Sequence, residues 1–94
     1  MGLRYFTYRI ERISVTQFPM TKEQLGQFNG RSIRFSLGGL TFQGAIHYDS
    51  WRDAFRIIYP VIEDGRSRNE DLPLNGALIE RISFSPKDNL LVLD

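Results

Sequence analysis

The stretch RFSLGGLTF, Arg34–Phe42, constrains the fold more than any other part of the chain. If Gly38-Gly39 forms a two-residue turn, a conformation that glycine adopts without steric penalty, Leu37 faces Leu40, Phe35 faces Phe42 and Ile33 faces Gly44. The same register sets Ser36 against Thr41 and Arg34 against Gln43. All the large apolar side chains then fall on one face and the polar pairs on the other. A slip of one residue would destroy that segregation, so both hairpin and register are expected.

An oily hairpin face needs a core to join. The 94 residues are 41% hydrophobic and 13% aromatic, which is material for one. A chain of this size buries roughly 60–68% of its unfolded surface, enough for a single core. A single domain over residues 1–94 is therefore expected, and disorder is not. With no cysteine, neither a disulfide framework nor a thiolate metal site is available.

The flanking segments read mostly as strands. Residues 3–16 (LRYFTYRIERISVT) place Phe6, Tyr8 and Ile10 on one side and Ile13 and Val15 on the other, as in a long strand bent by a bulge. The segment PMTKEQLGQFNG then signals a short helix. Thr21 is its cap, Gln24 completes a capping box, Met20 and Leu25 form a hydrophobic staple, and Asn29-Gly30 is the stop. Residues 51–62 admit two readings. Trp51, Phe55 and Ile58 fit helical spacing, but Phe55, Ile57, Tyr59 and Val61 alternate and Pro60 would break a helix, which favours a strand. Residues 63–76 (EDGRSRNEDLPLNG) read as a long charged loop. The last segment reads as a hairpin turning through Pro86, Lys87 and Asp88, with Phe84 against Leu90 and Ile82 against Val92. That register leaves the final strand apolar on both faces, as if covered by another layer or another subunit.

The pentapeptide IERIS occurs at Ile10–Ser14 and again at Ile79–Ser83. The flanks do not match and no longer period exists, so two similar strands at opposite ends of one sheet fit better than an internal duplication. The expected fold is mainly β (α+β), a small antiparallel, barrel-like six-stranded sheet with one short helix after the first strand. Its order is β-α-β-β-β-β-β.

Chemistry is sparse. His47 is the only histidine, and the hairpin register puts it on the polar face with Gln43 and Arg34. Neither a converging ligand set nor a nucleophile turn or phosphate loop of known spacing is visible. No catalytic residue, no metal site and no cofactor are expected. The net charge of +1 argues against duplex binding driven by bulk charge. Ten of the twelve basic residues are arginine, however, and arginine suits carboxylates, phosphates and aromatic faces.

The candidate binding residues are Arg34, Gln43, His47, Trp51, Arg52, Arg56 and Tyr59, an arginine and aromatic set, with Arg66 and Arg68 of the charged segment as a possible anion cup. Such sets serve as protein-interface anchors and as stacking sites for nucleotides or single strands. The expectation is a non-enzymatic protein-binding module of the inhibitor, immunity or assembly kind that also self-associates into a homo-oligomer. The alternative is a binder of a phosphate-bearing small ligand, a nucleotide, or single-stranded nucleic acid. No apolar run is long enough for a membrane span and the start lacks signal-peptide character, so no membrane partner and a cytoplasmic location are expected.

Overall fold

The computed structural model describes residues 19–94. The strand expected over residues 3–16, and with it the first IERIS copy, lies outside them, as does the placing of the helix after that strand.

Helix α1 spans Lys22–Gly26 and begins as its sequence signals. The Thr21 hydroxyl accepts from the Gln24 amide at 3.1 Å, and the Gln24 side chain accepts from the Thr21 amide at 3.0 Å. Five residues cannot hold a helix by themselves. Met20 and Leu25, both buried, pin it to the core, and Gly30 turns the chain at φ 85°.

The strands are β1 (Ser32–Leu37), β2 (Leu40–Asp49), β3 (Ala54–Glu63) and β4 (Arg66–Leu74), then a short helix α2 (Gly76–Ile79), then β5 (Ile82–Ser85) and β6 (Leu90–Leu93). They form one six-stranded sheet in the order β4-β3-β2-β1-β6-β5. Every neighbouring pair is antiparallel except β1 and β6, which run parallel through Ile33–Leu91 and Arg34–Val92. The fold is mostly β, with a mixed rather than antiparallel sheet. Among the described residues it is open: β4 and β5 are its two edges and do not pair. The described sheet is thus not closed into the expected barrel. From the β4 edge the chain crosses through α2 and adds β5 and β6 beyond β1, which lengthens the sheet instead of closing it.

The β1–β2 hairpin has the expected register throughout, from Ile33–Gly44 to Leu37–Leu40. Gly38 and Gly39 both have positive φ, 56° and 82°. β3 carries the alternation expected of a strand, with Phe55 and Ile57 buried and Tyr59 half-buried on the core face. Trp51 itself belongs to the β2–β3 connection, so the strand starts later than the 51–62 reading.

Three further expectations need correction. Residues 63–76 are mainly strand, because Asp64-Gly65 makes a two-residue turn (φ 53° and 76°) and folds Arg66–Leu74 back along β3 through nine residue pairs. The second IERIS copy is not a strand throughout. Ile79 ends α2, Glu80 and Arg81 turn, and β5 begins at Ile82, since Asn75 caps α2 by accepting from the Leu78 amide at 2.9 Å. The final hairpin is shifted by one residue, with Phe84 opposite Leu91 and Ile82 opposite Leu93. Its connection holds four residues, Pro86–Asn89, and Asn89 adopts φ 53°. The Asn89 side chain accepts from the Arg31 guanidinium at 2.8 Å.

One face of the sheet carries the core. Ile33, Phe35, Ile46, Phe55, Ile57, Ile82 and Leu91 pack there with Met20, Leu25, Leu74 and Ile79. β6 is apolar on both faces: Leu91, fully buried, joins the core, and Leu90 on the other face is nearly buried too. The opposite face, reached by alternation, carries Arg34, Gln43, His47, Asp49, Arg56 and Asp71. The β2–β3 ladder ends at Ala45–Ile58, whereas β3 and β4 stay paired to Glu63–Arg66. Pro60 falls beyond the last β2–β3 pair, so its missing N–H takes nothing from that ladder.

Candidate functional site

The β2–β3 connection, residues 50–53, is where exposed and ordered features coincide. The Asp49 side chain folds the connection over itself, one carboxylate oxygen accepting from the amides of Trp51 at 3.0 Å and Arg52 at 3.4 Å. Asp53 leaves the turn at φ 49°, a left-handed conformation that aspartate tolerates better than most residues. Its carboxylate is gripped from both sides. The Tyr48 hydroxyl donates to Oδ1 at 2.6 Å and the Lys22 ammonium lies 3.0 Å from Oδ2. Tyr48 is fixed in turn, its amide donating to the Asn29 side chain at 3.1 Å. The connection is thereby tied to α1 and to the segment after it. At its tip stands Trp51, 97% exposed, beside Arg52, whose side chain is 76% exposed.

Below the tip, on the sheet face away from the core, Arg56 bridges two carboxylates. One terminal nitrogen lies 3.0 Å from Asp49 Oδ2 and the other 2.6 Å from Asp71 Oδ2. Strand pairing sets this up: Asp49 sits opposite Ala54 and Asp71 opposite Ile58, which flank Arg56 two positions either way on the same face. Arg52 also reaches towards Asp49, but only to 3.7 Å. Asp49, Arg52, Ala54, Arg56, Asp71 and Pro73 line a cavity of about 240 Å³ next to the tryptophan loop. Two further cavities, of about 350 and 360 Å³, flank the Lys22–Asp53 contact on the α1 side.

Electrostatics follow from these contacts. Burial pushes the Asp49 carboxyl up, but amide donation by Arg52 and Trp51 and the nearby Arg52 and Arg56 charges outweigh it, so its pKa is lowered. The Tyr48 hydrogen bond, then Lys22, lowers that of Asp53. The same hydrogen bond raises that of Tyr48, and the bond to Asp71 leads those that raise that of Arg56. The carboxyls move further below neutrality and the phenol further above it. Neither kind of group is tuned to exchange a proton at neutral pH. Among the described residues no group of three or more histidine, cysteine, aspartate or glutamate side chains could hold a metal ion.

The residues singled out from sequence do not form one site. His47 pairs across the ladder with Arg56, which brings His47, Trp51, Arg52 and Arg56 to one end of the molecule. Arg34 and Gln43 are paired further along the same face, and Arg34 lies 3.7 Å from Asp88. Tyr59 is on the opposite face, in an aromatic cluster with Phe35 and Phe42 at 5.0 and 5.2 Å between ring centroids. Arg66 is exposed beside the β3–β4 turn. Arg68 is held by Glu63 and by Glu70, the latter at 2.7 Å. Those carboxylates occupy its guanidinium and raise the Arg68 pKa.

Sequence reasoning missed Lys22, Asp53, Asp71 and Pro73. Only β4 brings the last two alongside Arg56, and the charged sequence of that segment predicts a loop. No family model, no curated protein and no solved structure matches this chain.

Proposed function

We propose that this chain is a non-enzymatic protein-binding module that docks through the end of the sheet bearing Trp51. One observation carries the reading: a 97% exposed tryptophan at the tip of a turn held by Asp49 on one side and by Asp53, Tyr48 and Lys22 on the other. A large apolar ring left in water on a mobile loop would be unremarkable. On a turn held by these contacts it is ready to bury roughly 150–250 Å² in a partner, with little backbone entropy left to lose. Tryptophan and arginine are also the residue types that most often carry binding energy at interfaces, and Arg52 stands next to Trp51.

Binding of a nucleotide or single strand has less support. Two of its arginines, Arg56 and Arg68, already hold two carboxylates each, and Tyr59 is on the other face. A polyanion would meet Asp49, Asp53 and Asp71 at the same end.

The test is capture from extract of the native host on immobilised wild-type chain and on Trp51→Ala, with mass spectrometry of what is retained. At least one protein is expected to be held by the wild type and lost with the variant at equal loading. Identical retention on both surfaces would remove docking of a host protein through Trp51.

A further inference from the structure

We propose that the Trp51 end is self-complementary, and that a second copy of this chain places its Trp51 indole in the groove over Arg56 while receiving the first copy's indole in return. The inference rests on the protein-binding reading and names a partner for it.

The groove is suited to an aromatic occupant. Arg56 lines it, its partly buried guanidinium held by Asp49 on one terminal nitrogen and Asp71 on the other. A planar cation fixed at its edge by two carboxylates leaves its face for stacking, and an indole is the ring that binds such a face best. Ala54 and Pro73 provide apolar wall beside it. The volume, about 240 Å³, falls below the roughly 300–1,000 Å³ of pockets for drug-sized ligands. It is on the scale of one large side chain. Asp71, 46% exposed with one carboxylate oxygen on Arg56, offers the acceptor that the indole N–H needs on burial.

A second copy fits because donor and receptor are neighbours on one surface. Asp49 folds the turn that raises Trp51 and also anchors Arg56, and Arg52, adjacent to Trp51, lines the groove. An interface related by a two-fold axis needs such a patch, in which a residue meets a second residue whose counterpart meets it in return. Charge permits the approach of like to like. Lys22, Arg52 and Arg56 stand against Asp49, Asp53 and Asp71 at this end, so two copies meet without a single-sign field. The contact is small beside the about 800 Å² per partner of a standard interface. The pairing is therefore weak and reversible.

Trp51 is the only tryptophan of the chain and reports on itself. Sedimentation velocity and tryptophan emission are recorded from micromolar to millimolar chain. Reversible dimerisation is expected, with emission moving to shorter wavelength over the same range. Trp51→Ala, and separately Pro73→Glu, each weaken the dimer by at least about tenfold while circular dichroism and the melting temperature stay near wild type. A chain that remains monomeric with unchanged emission, or a dimer that survives either substitution, overturns the proposal. If self-pairing fails while host capture remains sensitive to Trp51→Ala, the protein-binding reading stands without it. A dimer dependent on both residues alongside indifferent capture leaves the second copy as the partner.

Discussion

At the scale of residues, Gly44 shows how one missing side chain permits a local arrangement. A Cβ there would lie 2.5 Å from the Ile58 carbonyl oxygen and 2.8 Å from the Tyr59 Cβ. Backbone cannot yield as a flexible side-chain end can, so Gly44→Ala is expected to cost about 1–3 kcal/mol, the range for overpacking, read from urea denaturation. The Tyr59 ring lies against those of Phe35 and Phe42, and the β2–β3 ladder stops one residue after Gly44. Acid stability is a second property of single residues. The folded-state pKa values of Asp49 and Asp53 lie below the ordinary 3.8. A carboxyl lowered on folding adds stability that is fully present above its unfolded pKa and disappears as pH falls through its folded value. The urea midpoint, followed from pH 7 to pH 2, should therefore be nearly flat down to roughly pH 5 and then fall. In Asp53→Asn the acid-side fall should be shallower.

At the scale of elements, β4 carries one local signal, the Asp64-Gly65 turn that precedes it. Asp-Gly between alternating residues is a strong hairpin marker, yet RSRNEDLPL is charged, contains a proline and has poor strand propensity. The strand exists because β3 offers it a ladder of nine pairs and because Leu72 and Leu74 reach the core face. Gly65→Ala should cost about 1 kcal/mol, since φ 76° penalises any Cβ, and the loss should appear as lower amide protection across β3 and β4. The two short helices follow the opposite logic, because their caps are written locally. Thr21 and Asn75 each accept from an amide three residues on. Thr21→Ala should lower stability by about 1 kcal/mol, seen as a drop in melting temperature. The second IERIS departs from a strand because a pentapeptide folds according to what precedes it, and Asn75-Gly76 starts a helix that runs into Ile79.

At the scale of the whole molecule, the parallel pairing of β6 with β1 joins the first and last of the described strands. Leu91 is fully buried, opposite Ile33 in the ladder and packed in the same core. Leu91→Ala is expected to cost about 2–5 kcal/mol and to lower the denaturation midpoint seen by every probe, because the loss falls on the shared core. Short-range pattern was enough to establish the Gly38-Gly39 hairpin and its register, the cap of α1, the alternation of β3 and the polar face that carries His47, Arg34 and Gln43. Turn chemistry and side-chain period act over a few residues, so they can be read without knowing the neighbours. The order of strands, the insertion of β6, the open edges and the meeting of Asp49, Arg56 and Asp71 beneath Trp51 depend on which distant faces bury each other. That choice minimises exposed apolar surface over the entire chain, a quantity no local window contains.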